Sequence, residues 1–65
     1  MQPELAFPMS PSLREAREQF ERAFIIQALK ATRGVKYKAA KKIGITRRIL
    51  WERMRKFAIL PREYK

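Results

Sequence analysis

The sequence predicts an all-α domain of three helices, one long and two short. Three observations support this. Leu13 to Thr32 repeats apolar residues at helical spacing up to a glycine at position 34. Tyr37 to Phe57 divides into two short amphipathic stretches at Ile43-Gly44-Ile45. The whole chain has 65 residues, enough for one small domain and no more.

Residues 1–12, MQPELAFPMSPS, hold three prolines at irregular spacing and no helical period, so they read as a linker or tail. The domain is expected over residues 13–60. Its first helix should run from about Leu13 to Thr32, capped by Ser12 or Ser10. Glu15 and Glu18 suit its N-terminal dipole, and Lys30 and Arg33 its C-terminal end. Leu13, Ala16, Phe20, Ala23, Phe24 and Ala28 form one apolar stripe, while Ile25, Ile26 and Leu29 fall outside it. The second half of the helix is therefore apolar nearly all round. A domain this small buries only about 60% of its unfolded surface and cannot wrap a helix on every side. Either a second copy pairs along this helix through Phe20, Phe24, Ile25, Ile26 and Leu29, giving a two-fold dimer, or Leu5, Phe7, Ile59 or Leu60 folds back over it.

The next helix is expected over 36–43 and the third over 47–58, with Pro61 barring any helix before it and 61–65 forming a frayed basic tail. Ala40 gives the second helix a small contact close to the bend. Gly44 stands where a helix ends in a left-handed residue. Ile45 plugs the corner, and Thr46 is a good N-cap, although Ile49 replaces the acid of a full capping box. Leu50, Met54 and Phe57 give the third helix a buried stripe. Small residues at the elbow and basic residues outside match the pattern of a helix-turn-helix, whose second helix lies in the DNA major groove. Ordinary helical hairpins share the small-residue spacing, so charge has to decide between the two.

The net charge is +10. Residues 1–35 hold five basic and four acidic side chains, a net +1, whereas residues 36–65 hold eleven and two, a net +9. The excess thus lies on the two short helices and the tail, as for a polyanion-binding face. With no Cys there is no thiolate metal site, and with no His zinc is not expected; with no Asp and only scattered Glu, no acid–base pair can be argued, so an enzyme is not expected and no cofactor is implied. No signal peptide and no spanning run is read, and a cytoplasmic protein is expected. A cationic membrane-surface peptide is the competing class, but the cations are split by a helix-stopping glycine and the longest helix is nearly neutral.

Phe20 to Phe57, FERAFIIQALKATRGVKYKAAKKIGITRRILWERMRKF, resembles the Fis-type helix-turn-helix. That module also forms the C-terminal DNA-binding domain of NtrC-like activators of sigma-54 RNA polymerase. The resemblance is carried by Ile26, Ala28 and Leu29, the Ala39-Ala40 pair, Ile43-Gly44-Ile45, Arg47, Leu50 and Arg53-Met54. The chain departs from it at Val35, where Asn is usual, at Ile49, where Thr is common, and at Trp51 and Glu52, often basic in Fis itself. The resemblance implies a homodimer in the bacterial nucleoid that reads a roughly palindromic site. The proline-rich start favours an activator's terminal domain over a free-standing, DNA-bending Fis homologue. Sigma-54 polymerase would then be met only through domains outside this chain.

The resemblance places Arg47 at a base-contacting position and Lys36, Tyr37 and Lys38 at phosphate-contacting ones. Helical geometry puts Arg48, Glu52, Arg55 and Lys56 on the face opposite Leu50 and Met54. Arg47 and Trp51 lie on one flank, Ile49 and Arg53 on the other. The base-reading set is therefore Arg47, Arg48, Ile49, Trp51 and Glu52; Thr46, Arg53, Arg55 and Lys56 join the phosphate set. For several of these a second role stays open. Tyr37 can be a half-buried core aromatic, Glu52 a partner for Arg48 or Lys56, Trp51 a cover for the domain's flank, and Ile49 a packing residue.

Overall fold

The computed structural model describes residues 12–65. The expectations for the linker up to residue 11, and for Leu5 and Phe7, lie outside the described residues. Helix α1 spans Leu13–Ala31, α2 Lys36–Ile43 and α3 Arg47–Lys56, followed by a 3-10 turn at Pro61–Glu63. No strand occurs among the described residues.

Ser12 is the N-cap of α1 and belongs to a full capping box. Its Oγ accepts from the Glu15 N–H at 3.1 Å, and the Glu15 carboxylate accepts from the Ser12 N–H at 3.2 Å. Helix α3 has half of that device: Thr46 Oγ1 accepts from the Ile49 N–H at 3.1 Å. Helix α2 has neither, because Val35 at its N-cap offers no side-chain acceptor.

All three helices end in the same way. The Gly34 N–H donates to the Leu29 carbonyl at 2.7 Å, Ile45 to Ala40 at 3.0 Å and Ile59 to Met54 at 3.0 Å. This bond spans six residues and needs a left-handed residue just past the helix. Arg33 (φ 57°), Gly44 (φ 81°) and Ala58 (φ 53°) supply it. Only one of the three is glycine. A third helix reaching 58 is therefore corrected: Phe57 caps α3 and Ala58 has already turned left-handed. The residues after α3 help to hold the two short helices in place, because Ile59 is buried beside Met54 in the core.

That core consists of Ile25, Ala28, Leu29, Ala39, Ala40, Leu50, Met54, Ile59 and Tyr64, with Ile26, Ile43, Ile45 and Phe57 packed around it. Leu29, Ala39 and Leu50 are fully buried. Of the stripe on α1 only Ala28 enters the core, whereas Ile25 and Leu29 from outside it are buried and Leu13, Phe20 and Phe24 of the stripe face solvent at 79%, 59% and 46% exposure. Ile25 and Leu29 are therefore removed from the expected dimer surface, since burial within their own protomer leaves them nothing to offer a second chain. Ile26 is half-buried against the core.

The frayed basic tail is also corrected. Arg22 on α1 donates to the Phe57 carbonyl through Nε at 3.1 Å and pairs with Glu63 through Nη2 at 2.6 Å. The other Glu63 oxygen accepts from the Leu60 N–H at 3.0 Å. This clasp folds residues 58–64 onto the domain and buries Tyr64, whose ring lies 3.4 Å from where a Cβ on Gly34 would stand. Of the residues expected to fold back, Ile59 does so and Leu60 stays 43% exposed.

The helix ends yield opposite predictions for two small substitutions. A Cβ on Gly44 would meet no atom within 4 Å, so Gly44→Ala costs only the left-handed backbone, about 1–2 kcal/mol. Ala58→Gly relieves the same strain and should stabilise by about 0.5–1 kcal/mol after the added chain entropy of glycine. Urea unfolding followed by circular dichroism measures both.

Candidate nucleic-acid interface

The buried side of α3 fixes what its other sides present. Leu50 and Met54 point into the core, so Arg48 and Glu52 project from the open face with side chains 86% and 56% exposed. Their Nε and Oε2 atoms lie 3.5 Å apart, the i,i+4 pairing weighed from the sequence. Arg47 and Trp51 lie along one flank, where both border a recess with Lys36 from the start of α2. The Arg55 guanidinium stands over the Trp51 ring at 4.9 Å, a cation–π contact that holds two long side chains side by side.

The opposite flank faces α1. There Ile49 lines an apolar recess with Phe24, Ile43 and Ile45, and half-buried Arg53 borders the same recess near Glu21. Ile49 is 39% exposed and lines this recess, on the flank opposite Arg47 and Trp51. Lys56 is drawn to this side too. Its Nζ lies 3.2 Å from Glu18 and 5.6 Å from the Phe57 ring, so its expected place on the open face is corrected by an ion pair with α1.

On α2, Ala39 and Ala40 are buried and every lysine is exposed. Tyr37 is 57% exposed, which removes the half-buried core reading for it. Lys36, Tyr37 and Lys38 thus surround an uncapped helix start, where the first backbone N–H groups have no side-chain acceptor. Thr46 is exposed, and its hydroxyl, already accepting from Ile49, still has a proton to donate.

The arrangement is cationic because most described glutamates are engaged at α1 and the clasp. Glu15 closes the α1 cap, Glu18 pairs with Lys56 and with Arg14 at 3.7 Å, and Glu63 pairs with Arg22. The Lys56 ammonium holds the Glu18 carboxyl below its ordinary value, with Arg14 adding to the effect. Glu63 is lowered first by the Leu60 N–H and then by Arg22. Glu52 alone among them stands on the exposed face of α3. No group of acidic side chains among the described residues is placed to hold a metal ion, and none of the described helices is long and apolar enough to cross a membrane.

Two short helices joined by a left-handed glycine, packed on a longer helix and exposing a basic second helix, define a helix-turn-helix, a DNA-binding regulatory module rather than an enzyme fold. The family described as "Bacterial regulatory protein, Fis family" matches residues 16–57, 42 of the 65, and the chain belongs to that family. Searches of curated proteins and of solved structures return no significant match. The sequence missed the clasp, whose residues 58–64 follow the matched stretch; its one sequence signal was Glu63 three residues after Leu60, the spacing by which a carboxylate reaches back to a helix start.

Glu18 and Glu63 have carboxyl groups lowered on folding, so their contribution is present above the unfolded value and is lost as pH falls through the folded one. Stability should therefore fall with pH once it drops below about 4.3, the ordinary glutamate value. Glu63→Gln should flatten part of that acid limb, as read from urea midpoints at successive pH values.

Proposed function

We propose that this chain binds double-stranded DNA sequence-specifically as a homodimer, each protomer placing α3 in a major groove, and that it serves a transcription regulator of the NtrC-like, sigma-54-dependent kind. The observation that carries the reading is the exposed basic face of α3, set on a buried Leu50–Met54 stripe within a Fis-family module. Arg47 and Arg48 are the readers: a guanidinium can take O6 and N7 of one guanine together. Glu52 orients Arg48 in free protein and can accept from a cytosine amino group once Arg48 turns to its base. Trp51 and Arg55 lie beside them; Lys36, Tyr37, Lys38 and Thr46 take phosphate, with the uncapped α2 start adding backbone donors.

Pairing of two copies is supported by the outward stripe of α1. Phe20 and Phe24 are stacked with ring centroids 5.8 Å apart, yet both remain largely exposed. Two such helices packed together would cover them and set two recognition helices on successive major grooves. The activator context is supported by the proline-rich residues before α1.

Selection from a random duplex library should recover an inverted repeat. On that site Arg48→Ala should cost about 1–3 kcal/mol and relax base preference, whereas Lys38→Ala should weaken all duplexes alike and flatten the salt dependence by about one unit. Equal loss on cognate and random DNA in fluorescence anisotropy would remove Arg48 as a reader. In analytical ultracentrifugation at tens of micromolar, the chain should sediment as a dimer and Phe24→Glu as a monomer; a monomeric parent would overturn the pairing.

A further inference from the structure

The clasped segment 58–64 shapes a surface that recognition by α3 does not account for. One recess of about 510 Å³ lies among Lys36, Arg47, Arg48 and Trp51. A second, of about 400 Å³, shares Lys36 and Trp51 and continues past Arg55 to a far wall that includes Leu60, Pro61 and Tyr64. Together they make one trough along the flank of α3. Among the described residues no carboxylate lines either part.

The far wall is built rather than loose. Arg22 holds Phe57 and Glu63, Glu63 holds the Leu60 N–H, and Tyr64 is buried beneath. Leu60 is nevertheless 43% exposed, so the clasp keeps an apolar side chain at a cationic rim. A strand of DNA has matching chemistry, with a charged phosphate and a largely apolar deoxyribose face.

We infer that the trough seats the sugar–phosphate backbone of one DNA strand beside the groove that α3 enters, with phosphate between Lys36 and Arg55 and deoxyribose against Trp51, Leu60 and Pro61. This rests on the reading of the chain as a duplex-DNA binder and adds to it a contact made by residues after the family-matched stretch. Such a contact positions the protein without reading sequence.

Two substitutions test the wall without removing a cation from the trough. Glu63→Gln removes the ion pair and leaves one acceptor oxygen where Glu63 uses two, loosening the segment while making the protein more basic, so a purely electrostatic tail would bind DNA more tightly. The inferred seat requires the reverse, binding weaker by about three- to tenfold, the scale of re-ordering one or two side chains. Leu60→Ala leaves the charge unchanged and should weaken binding on selected and random duplexes alike, with the salt slope preserved. Both are measured by fluorescence anisotropy on the selected duplex, with thermal melts to establish folding. Folded Glu63→Gln that binds as well as the parent or better, or Leu60→Ala with unchanged affinity, overturns the inference. Should Glu63→Gln fail to fold, Leu60→Ala decides alone. A parent chain with no affinity for duplex DNA would instead overturn the proposed function, and this seat with it.

Discussion

The close approach of α2 to its neighbours is the constraint on which the rest of the molecule depends. An eight-residue helix has no stability of its own in water, so α2 exists only through packing. Ala39 and Ala40 make that packing possible, because methyl side chains let the α2 backbone sit against a core that contains Leu29 and Leu50. Larger residues there would push α2 outward and change the angle at which α3 leaves the turn. Gly44 contributes differently. Open space surrounds it, so its value lies in the left-handed backbone and not in a close contact.

Charge on the domain is divided by pairing as well as by position. The sequence places most of the excess after residue 35, and the fold sharpens the division. Glu18 reaches across to neutralise Lys56 on the α1 side of α3, and Glu63 neutralises Arg22. Cations on the other flank, Lys36, Arg47 and Arg55, have no such carboxylate among the described residues. The Glu18–Lys56 pair, more open to solvent, contributes little stability. Its effect here is to leave one flank of α3 more positive than the other.

Much of this was legible in the residues, and the failures have physical causes. Gly44, Thr46 and the Leu50–Met54 stripe act through local rules of backbone and period, and those rules hold wherever the segment sits. The stripe on α1 misled because period reveals that a face is apolar, not what will cover it. Ile25, Ala28 and Leu29 lie on the core side since the turn at Arg33–Gly34 sends α2 back along that side. The end of α3 misled because Ala58 takes the place usually given to glycine, and alanine carries no left-handed signal. The clasp was invisible for a third reason: Arg22 and Glu63 are 41 residues apart, and no local pattern links them.

The segment after α3 then bears on what constitutes the folding unit. Two of the nine buried core residues, Ile59 and Tyr64, lie beyond the family-matched stretch. Without them the core would lose two of its larger side chains, a large loss for a core so small. Tyr64 also packs at Gly34, so the chain's last turn bears on the bend that starts α2. In this chain Arg22 holds Phe57 and Glu63, which draws the C-terminal segment back onto α1 and sets Tyr64 against the Gly34 bend. The clasp that brings Ile59 and Tyr64 to the core thereby also holds Leu60 and Pro61 on the basic flank with Trp51.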